Sequence, residues 1–181
     1  MKRSLHYIQF TAILFGALLL AACANQKVSA YQDRKPAFIP EEFFNGKLTA
    51  HGVLKNRSGE VTRTFNATIN AYWKQNVGTL EEVFLFDDGE VQNRTWTLEP
   101  LKDGKYKATA GDVVGDGSAA TSGNAMNLNY VLRIKYNDGN LDLSVDDWMF
   151  LVDKNTVINE SLLTKWGFTV ATIQLAIIKN N

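Results

Sequence analysis

From Lys47 onward the chain changes polarity at almost every residue. Phe65, Ala67, Ile69, Ala71 and Trp73 alternate with Thr64, Asn66, Thr68, Asn70 and Tyr72. Met126, Leu128, Tyr130, Leu132, Ile134 and Tyr136 alternate with Asn127, Asn129, Val131, Arg133 and Lys135. Successive side chains of a strand point to opposite faces, so this period marks strands with one face buried and the other wet. After Phe44 no segment long enough for a helix shows the helical spacing of apolar residues. Turn signals separate the strands: Asn56-Arg57-Ser58-Gly59, Asp87-Asp88-Gly89, Lys102-Asp103-Gly104, Asn137-Asp138-Gly139 and Asp153-Lys154-Asn155. Between them lie about nine strands joined mostly by hairpins, with one longer loop from Gly115 to Gly123.

Short strands joined by tight turns, without crossovers, imply an antiparallel meander. Closing the meander removes its two unpaired edges. The expected fold is therefore all-β, a small lipocalin-like barrel over residues 38–181, and a barrel of ~8 strands can hold one small ligand. Phe65, Ile69, Trp73, Tyr130 and Leu132 are its expected core. A β-sandwich is the competing architecture. A membrane-spanning barrel, with the polarity of its faces reversed, is a third. Ahead of the strands, Phe38-Ile39-Pro40-Glu41-Glu42-Phe43-Phe44 reads as a short helical turn that plugs or caps the domain. Pro40 suits its first turn, and Glu41 and Glu42 suit its positive N-terminal end.

The N-terminus has a different character. Met1-Lys2-Arg3 and the mostly apolar run from Ile8 to Leu20 are built like a secretion signal, and Leu20-Ala21-Ala22-Cys23 closes it. The run is too short to span a bilayer as a mature helix, which takes ~20 residues. The four closing residues resemble the bacterial lipobox, in which the cysteine receives lipid and becomes the new N-terminus. Residues 1–22 are then a signal peptide, 23–37 a lipid-anchored tether and 38–181 the folded domain. Ala24 follows the cysteine, where an aspartate would mark inner-membrane retention in the enteric pattern. The expected location is the periplasmic face of the outer membrane, with the same face of the inner membrane as the alternative.

Composition removes several classes of function. Without its leader the chain keeps about 160 residues, one domain with a core. Its charge, balanced at 19 basic and 19 acidic residues in the full chain, becomes slightly acidic when Lys2 and Arg3 leave. Such a surface does not track phosphates, so no nucleic-acid partner is expected. The lipid consumes the chain's single cysteine, and of two histidines only His51 survives. Neither a thiolate zinc site nor a cluster of imidazoles can be assembled, and nothing implies a cofactor or a metal. Gly115-Asp116-Gly117 lacks the following helix that a phosphate cradle needs. Asn137-Asp138-Gly139-Asn140 lacks the remaining ligands of a calcium loop.

What does point to function is charge placed on apolar faces. Glu82 shares a strand face with Leu80, Phe84 and Phe86; Arg94 with Trp96 and Leu98; Asp112 with Tyr106, Ala108, Ala110 and Val114; Asp147 with Leu143, Val145, Met149 and Leu151. A buried charge is costly unless it meets a partner, a ligand or a proton. Either the four form an internal ion-pair network that fixes strand register, or they build a site. For Glu82 the turn decides the neighbour. A two-residue Asp88-Gly89 loop would set it opposite Thr95. A three-residue loop with a left-handed Gly89 sets it opposite Arg94 and sets Leu80 opposite Trp96, and is the expected register because it gives the acid a cation on its own face.

These residues also carry a resemblance. Glu82-x-Phe84, the Asp88-Gly89 turn, Arg94-x-Trp96, Asp112-Val113-Val114-Gly115, Gly123-Asn124-Ala125, Asp146-Asp147-Trp148-Met149, Asn159 and Lys165-x-Gly167 are similar to the bacterial lipoprotein family called domain of unknown function 3833. The likeness runs from about Phe43 to Lys179, and Asp146-Asp147-Trp148-Met149 is its most specific piece. It implies a lipocalin-like envelope lipoprotein with no established activity, and an association with fatty-acid modification genes points to a lipid-related ligand. Ser161-Leu162-Leu163 lacks the arginine expected beside Asn159, so that region is given no role.

The leading expectation is a binding protein, anchored to the membrane through its N-terminal lipid, that holds a lipid or other small amphipathic molecule in the barrel. Its ligand set would be Glu82, Arg94, Trp96, Asp112, Asn124, Tyr130, Asp147 and Trp148. The alternatives are an enzyme of envelope or fatty-acid metabolism using interior carboxylates as acid and base, and a structural envelope lipoprotein without a ligand.

Overall fold

The computed structural model describes residues 26–180, so the leader and Cys23 lie outside it. Ten strands follow one another: β1 (Gly46–Asn56), β2 (Val61–Lys74), β3 (Val77–Phe86), β4 (Val91–Pro100), β5 (Lys105–Thr109), β6 (Gly117–Ser122), β7 (Ala125–Tyr136), β8 (Gly139–Asp153), β9 (Thr156–Lys165) and β10 (Phe168–Lys179). Each pairs antiparallel with the next, and β1 pairs with β10 to close the ring. The closed barrel, not the sandwich, is the architecture.

The tenth strand comes from the stretch read as a long loop. β6 is rich in Ser and Ala and carries little contrast between its faces. It forms because β5 and β7 flank it, with Ala119 buried opposite Tyr106 and Leu128. Neighbours override weak local preference, as strands commonly allow.

Ten strands enclose more room than eight, and much of it is filled from the N-terminal side. Helix α1 (Pro40–Phe43) is a single turn that seats Phe38, Phe43 and Phe44 in one end of the barrel. Their ring centroids lie 5.1–5.8 Å apart in edge-on and tilted contacts, the arrangement aromatic rings favour. The Trp73 indole N–H donates to the Phe44 carbonyl at 2.9 Å, and the Tyr106 hydroxyl donates to the Glu41 carboxylate at 3.1 Å. The plug expected from the sequence is present and pinned on two sides.

Phe65, Ile69 and Leu132 are buried, as expected. Trp73 and Tyr130 are only partly buried, the first because it spans the plugged rim and the second because it faces an internal cavity. A smaller cluster of Leu132, Leu143, Val145 and Leu163 fills the opposite end. Along β2 and β7 the outer wall presents Asn66, Thr68, Asn70, Asn129 and Arg133, all exposed. That is the reverse of the outward apolar band of a membrane-spanning barrel.

The segment ahead of the plug is docked. A 3-10 turn over Val28–Tyr31 places the Tyr31 ring 5.9 Å from Trp148 and 5.2 Å from Phe150, on the outer face of β8. Gly123 makes this approach possible. It sits at φ +55°, and a Cβ there would fall 1.7 Å from the Tyr31 carbonyl oxygen.

Candidate functional site

The site is built around the β3–β4 hairpin. Gly89 adopts φ 86°, and Phe86 and Glu90 close a three-residue turn with an N–H to carbonyl bond of 3.0 Å. Strand pairing then sets Glu82 opposite Arg94 and Leu80 opposite Trp96, the register argued from the turn. The register holds but the ion pair expected between Glu82 and Arg94 does not form, because the rim loop offers the guanidinium another carboxylate. Nε and Nη2 of Arg94 both donate to Asp112 Oδ2, at 3.0 and 2.7 Å. Asp112 stands in the rim loop between β5 and β6. That loop is held against β7 by the Arg133 N–H donating to the Asp112 carbonyl and the Val114 N–H donating to the Val131 carbonyl, each at 2.8 Å.

Asp147 projects inward from β8 and is 8% exposed. Its Oδ1 accepts hydrogen bonds from the Asn159 amide and from the Ser161 hydroxyl, the latter at 3.0 Å. Asn159 and Ser161 are buried on the inner face of β9. Sequence reasoning left them without a role. The usable signal was the alternation of Val157, Asn159, Ser161 and Leu163, which places two polar residues on a face otherwise apolar.

Glu82, Arg94, Tyr130, Asp147, Asn159 and Ser161 meet at one cavity of about 120 Å³. The rest of its wall is apolar, with Ile69, Leu80, Trp96, Met149 and Leu175 among the contributors and Phe44 of the plug at one end. The Trp96 and Tyr130 rings stand nearly perpendicular, 5.1 Å apart. Of the eight expected ligand residues, five line this cavity: Glu82, Arg94, Trp96, Tyr130 and Asp147. Asp112 reaches it only through Arg94. Asn124 sits in the β6–β7 turn, its amide on the Leu151 carbonyl at 3.2 Å. Trp148 faces outward and stacks on Phe150. Neither of the last two lines the cavity.

Burial dominates the electrostatics. It pushes the Glu82 carboxyl up to about 7, against the pull of Arg94, and Asp147 and Asp112 add to the rise. It likewise raises Asp147 to about 6, with the Asn159 and Ser161 donors and Arg94 pulling the other way. The Tyr130 hydroxyl is driven well above its ordinary value by burial and by the Asp147 charge. The site thus holds two carboxyls that titrate near neutrality and one fixed guanidinium.

Fold and site define a lipocalin-like closed barrel with an ionisable interior. Residues 17–179 match the family described as protein of unknown function (DUF3833), and the chain belongs to that family. No curated protein matches it in sequence. Among solved structures it is similar to the S-type phycobiliprotein lyase CPES from Guillardia theta, at 13% identity and a TM-score of 0.57, covering 86% of this chain and 99% of that one. The likeness is one of fold. EF1p2_mFAP2b bound to DFHBI (7% identity, 76% and 94% covered, TM-score 0.41) and the odorant binding protein OBP1 (12% identity, 81% and 77% covered, TM-score 0.36) lie further off and carry no functional argument.

Proposed function

We propose that this protein binds a small amphipathic molecule inside its barrel, and that lipid on Cys23 holds it at the periplasmic face of the outer membrane. The observation that carries the binding reading is the meeting of Glu82, Arg94, Tyr130 and Asp147 on an otherwise apolar cavity wall. Convergent ionisable groups in an apolar recess are the usual mark of a ligand site.

Size narrows the ligand. The cavity, at about 120 Å³, is close to the ~150 Å³ that accommodates benzene and below the ~300–1,000 Å³ of most ligand pockets. A compact molecule fits whole. A longer lipid would enter by one end only, and its remainder would have to displace the Leu132, Leu143, Val145 and Leu163 cluster that fills the end opposite the plug. The anchor reading rests on Leu20-Ala21-Ala22-Cys23. From Cys23 to the docked Tyr31 the chain can reach no more than about 30 Å, so the barrel would ride close to the membrane surface.

Native mass spectrometry of the protein extracted from its own membranes tests the binding reading. A bound small-molecule mass is expected, and it should disappear from a Leu80→Trp variant whose added bulk fills the cavity. Bare protein mass in both samples would overturn the reading.

A further inference from the structure

We infer that the ligand carries a positive charge: the cavity is built to hold a protonated amine or quaternary ammonium on a compact apolar body. This rests on the binding reading above and names the chemistry that the same cavity selects.

The argument is an accounting of charge around the cavity. Glu82 comes from β3, Arg94 from β4, Tyr130 from β7 and Asp147 from β8, with Asp112 behind Arg94 in the rim loop. The facing residues of β2, β9 and β10 are Ile69, Asn159, Ser161, Ile173, Leu175 and Ile177, none of which ionises. The single cation, Arg94, is already committed to Asp112 through two hydrogen bonds. Asp147 is answered by Asn159 and Ser161. Among the described residues nothing hydrogen-bonds Glu82 or brings a cation into contact with it; the guanidinium opposite acts only at a distance. The unmatched charge at the cavity wall is therefore negative.

An anionic ligand would meet Glu82 and Asp147 and would have to draw Arg94 away from Asp112. A neutral hydroxyl could donate one bond to Glu82 but would leave a charge buried without its opposite. A cation resolves both problems. Cations also sit favourably over aromatic faces within ~6 Å, and the cavity wall already shows this: the Arg94 guanidinium lies 5.8 Å from both the Trp96 and the Phe84 ring centroids, with Phe65 and Tyr130 as further rings on the wall. Burial that holds Glu82 near 7 adds a signature. A cation draws the carboxyl into its ionised form, so binding releases a proton and tightens as pH rises.

Three probes of matched shape test this on the full-length protein: benzylammonium, benzyl alcohol and benzoate. Calorimetry at pH 8, with intrinsic tryptophan fluorescence as a second readout, should show benzylammonium bound about ten-fold tighter than benzyl alcohol, and benzoate not at all. Benzylammonium affinity should fall from pH 8 to pH 5.5 while benzyl alcohol affinity stays flat. Glu82→Gln should erase the preference for the cation and keep the binding of benzyl alcohol. Equal or tighter binding of benzoate or benzyl alcohol overturns the inference, as does an unchanged preference in Glu82→Gln. Should that variant not fold, a benzylammonium affinity independent of pH in the unaltered protein overturns it equally. In all these outcomes the cavity still binds and the parent reading stands. If none of the three probes binds and native mass spectrometry finds no bound mass, the binding reading falls and takes this one with it.

Discussion

Glu82 stands opposite Arg94 across the β3–β4 hairpin, yet the guanidinium bonds to Asp112, 18 residues further along the chain. The hairpin places the two side chains on one face, and the rim loop decides the pairing. Arg94 thereby holds the loop to the barrel, while Glu82 is left facing the cavity.

Breaking the Arg94–Asp112 pair should destabilise the barrel only moderately. The two side chains are 22% and 35% exposed, so solvent screens the pair, and the ~3–5 kcal/mol of a fully buried pair does not apply. Asp112→Asn is expected to cost about 1–3 kcal/mol. Urea unfolding would read it, and hydrogen exchange should rise at the Arg133 and Val114 amides that hold the loop.

Glu82 gives stability a distinctive pH dependence. Its carboxyl is raised from 4.5 to about 7 and that of Asp147 from 3.8 to about 6. Between the unfolded and folded values the native state binds more protons, so stability falls as pH rises. This contribution is complete below about pH 4 and is lost by about pH 7. Thermal melts across that window should show the decline. Glu82→Gln should flatten it and make the protein more stable than the original at pH 8.

Trp73 ties the plug to the barrel wall through Phe44. Trp73→Phe keeps most of the packing and strands the Phe44 carbonyl, at a cost of about 1–3 kcal/mol. Trp73→Ala should cost about 3 kcal/mol, the low end for a tryptophan because the ring is only partly buried. Equilibrium denaturation of the two variants separates the bond from the bulk.

Gly123→Ala should release the N-terminal segment. The new Cβ has no room beside the Tyr31 carbonyl, and φ +55° is a conformation alanine resists. Cleavage between residues 26 and 37 by a protease in limited amount should speed up several-fold, while the barrel itself stays folded.

Cys23 should carry lipid in cells. A fatty-acid probe is expected to label the protein, and Cys23→Ser should abolish the label. Labelling that persists in the variant would refute the anchor reading.

Much of this was legible in the residues because it depends on local chemistry. Alternation gave the strands, Pro40 and its neighbouring phenylalanines gave the plug, and Gly89 fixed the register that sets Glu82 opposite Arg94. Most of what stayed hidden depends on contacts between distant segments. Asp112 meets Arg94 only because β7 draws in the rim loop. Trp148 lies on the outward face of its strand, and its burial there reflects Tyr31 settling over it. Asn159 and Ser161 carry no role in the sequence reading because the arginine expected beside Asn159 is missing, and a polar pair lowers the contrast between the faces of β9. The β8–β9 hairpin register sets Ser161 directly opposite Asp147, with Asn159 two residues before it on the same face.

The pairing of the first strand with the last sets an order on how this molecule comes into being. Residues 48–56 find their partners at 171–179, so a chain emerging from its N-terminus cannot complete the ring until its final strand is free. Until then β1 and the newest strand both present open edges that other chains could join. The same seam makes the C-terminus indispensable. A chain shortened by β10 would not be a slightly smaller barrel but an open sheet with its core uncovered, and cells would meet it as a substrate for proteases and chaperones.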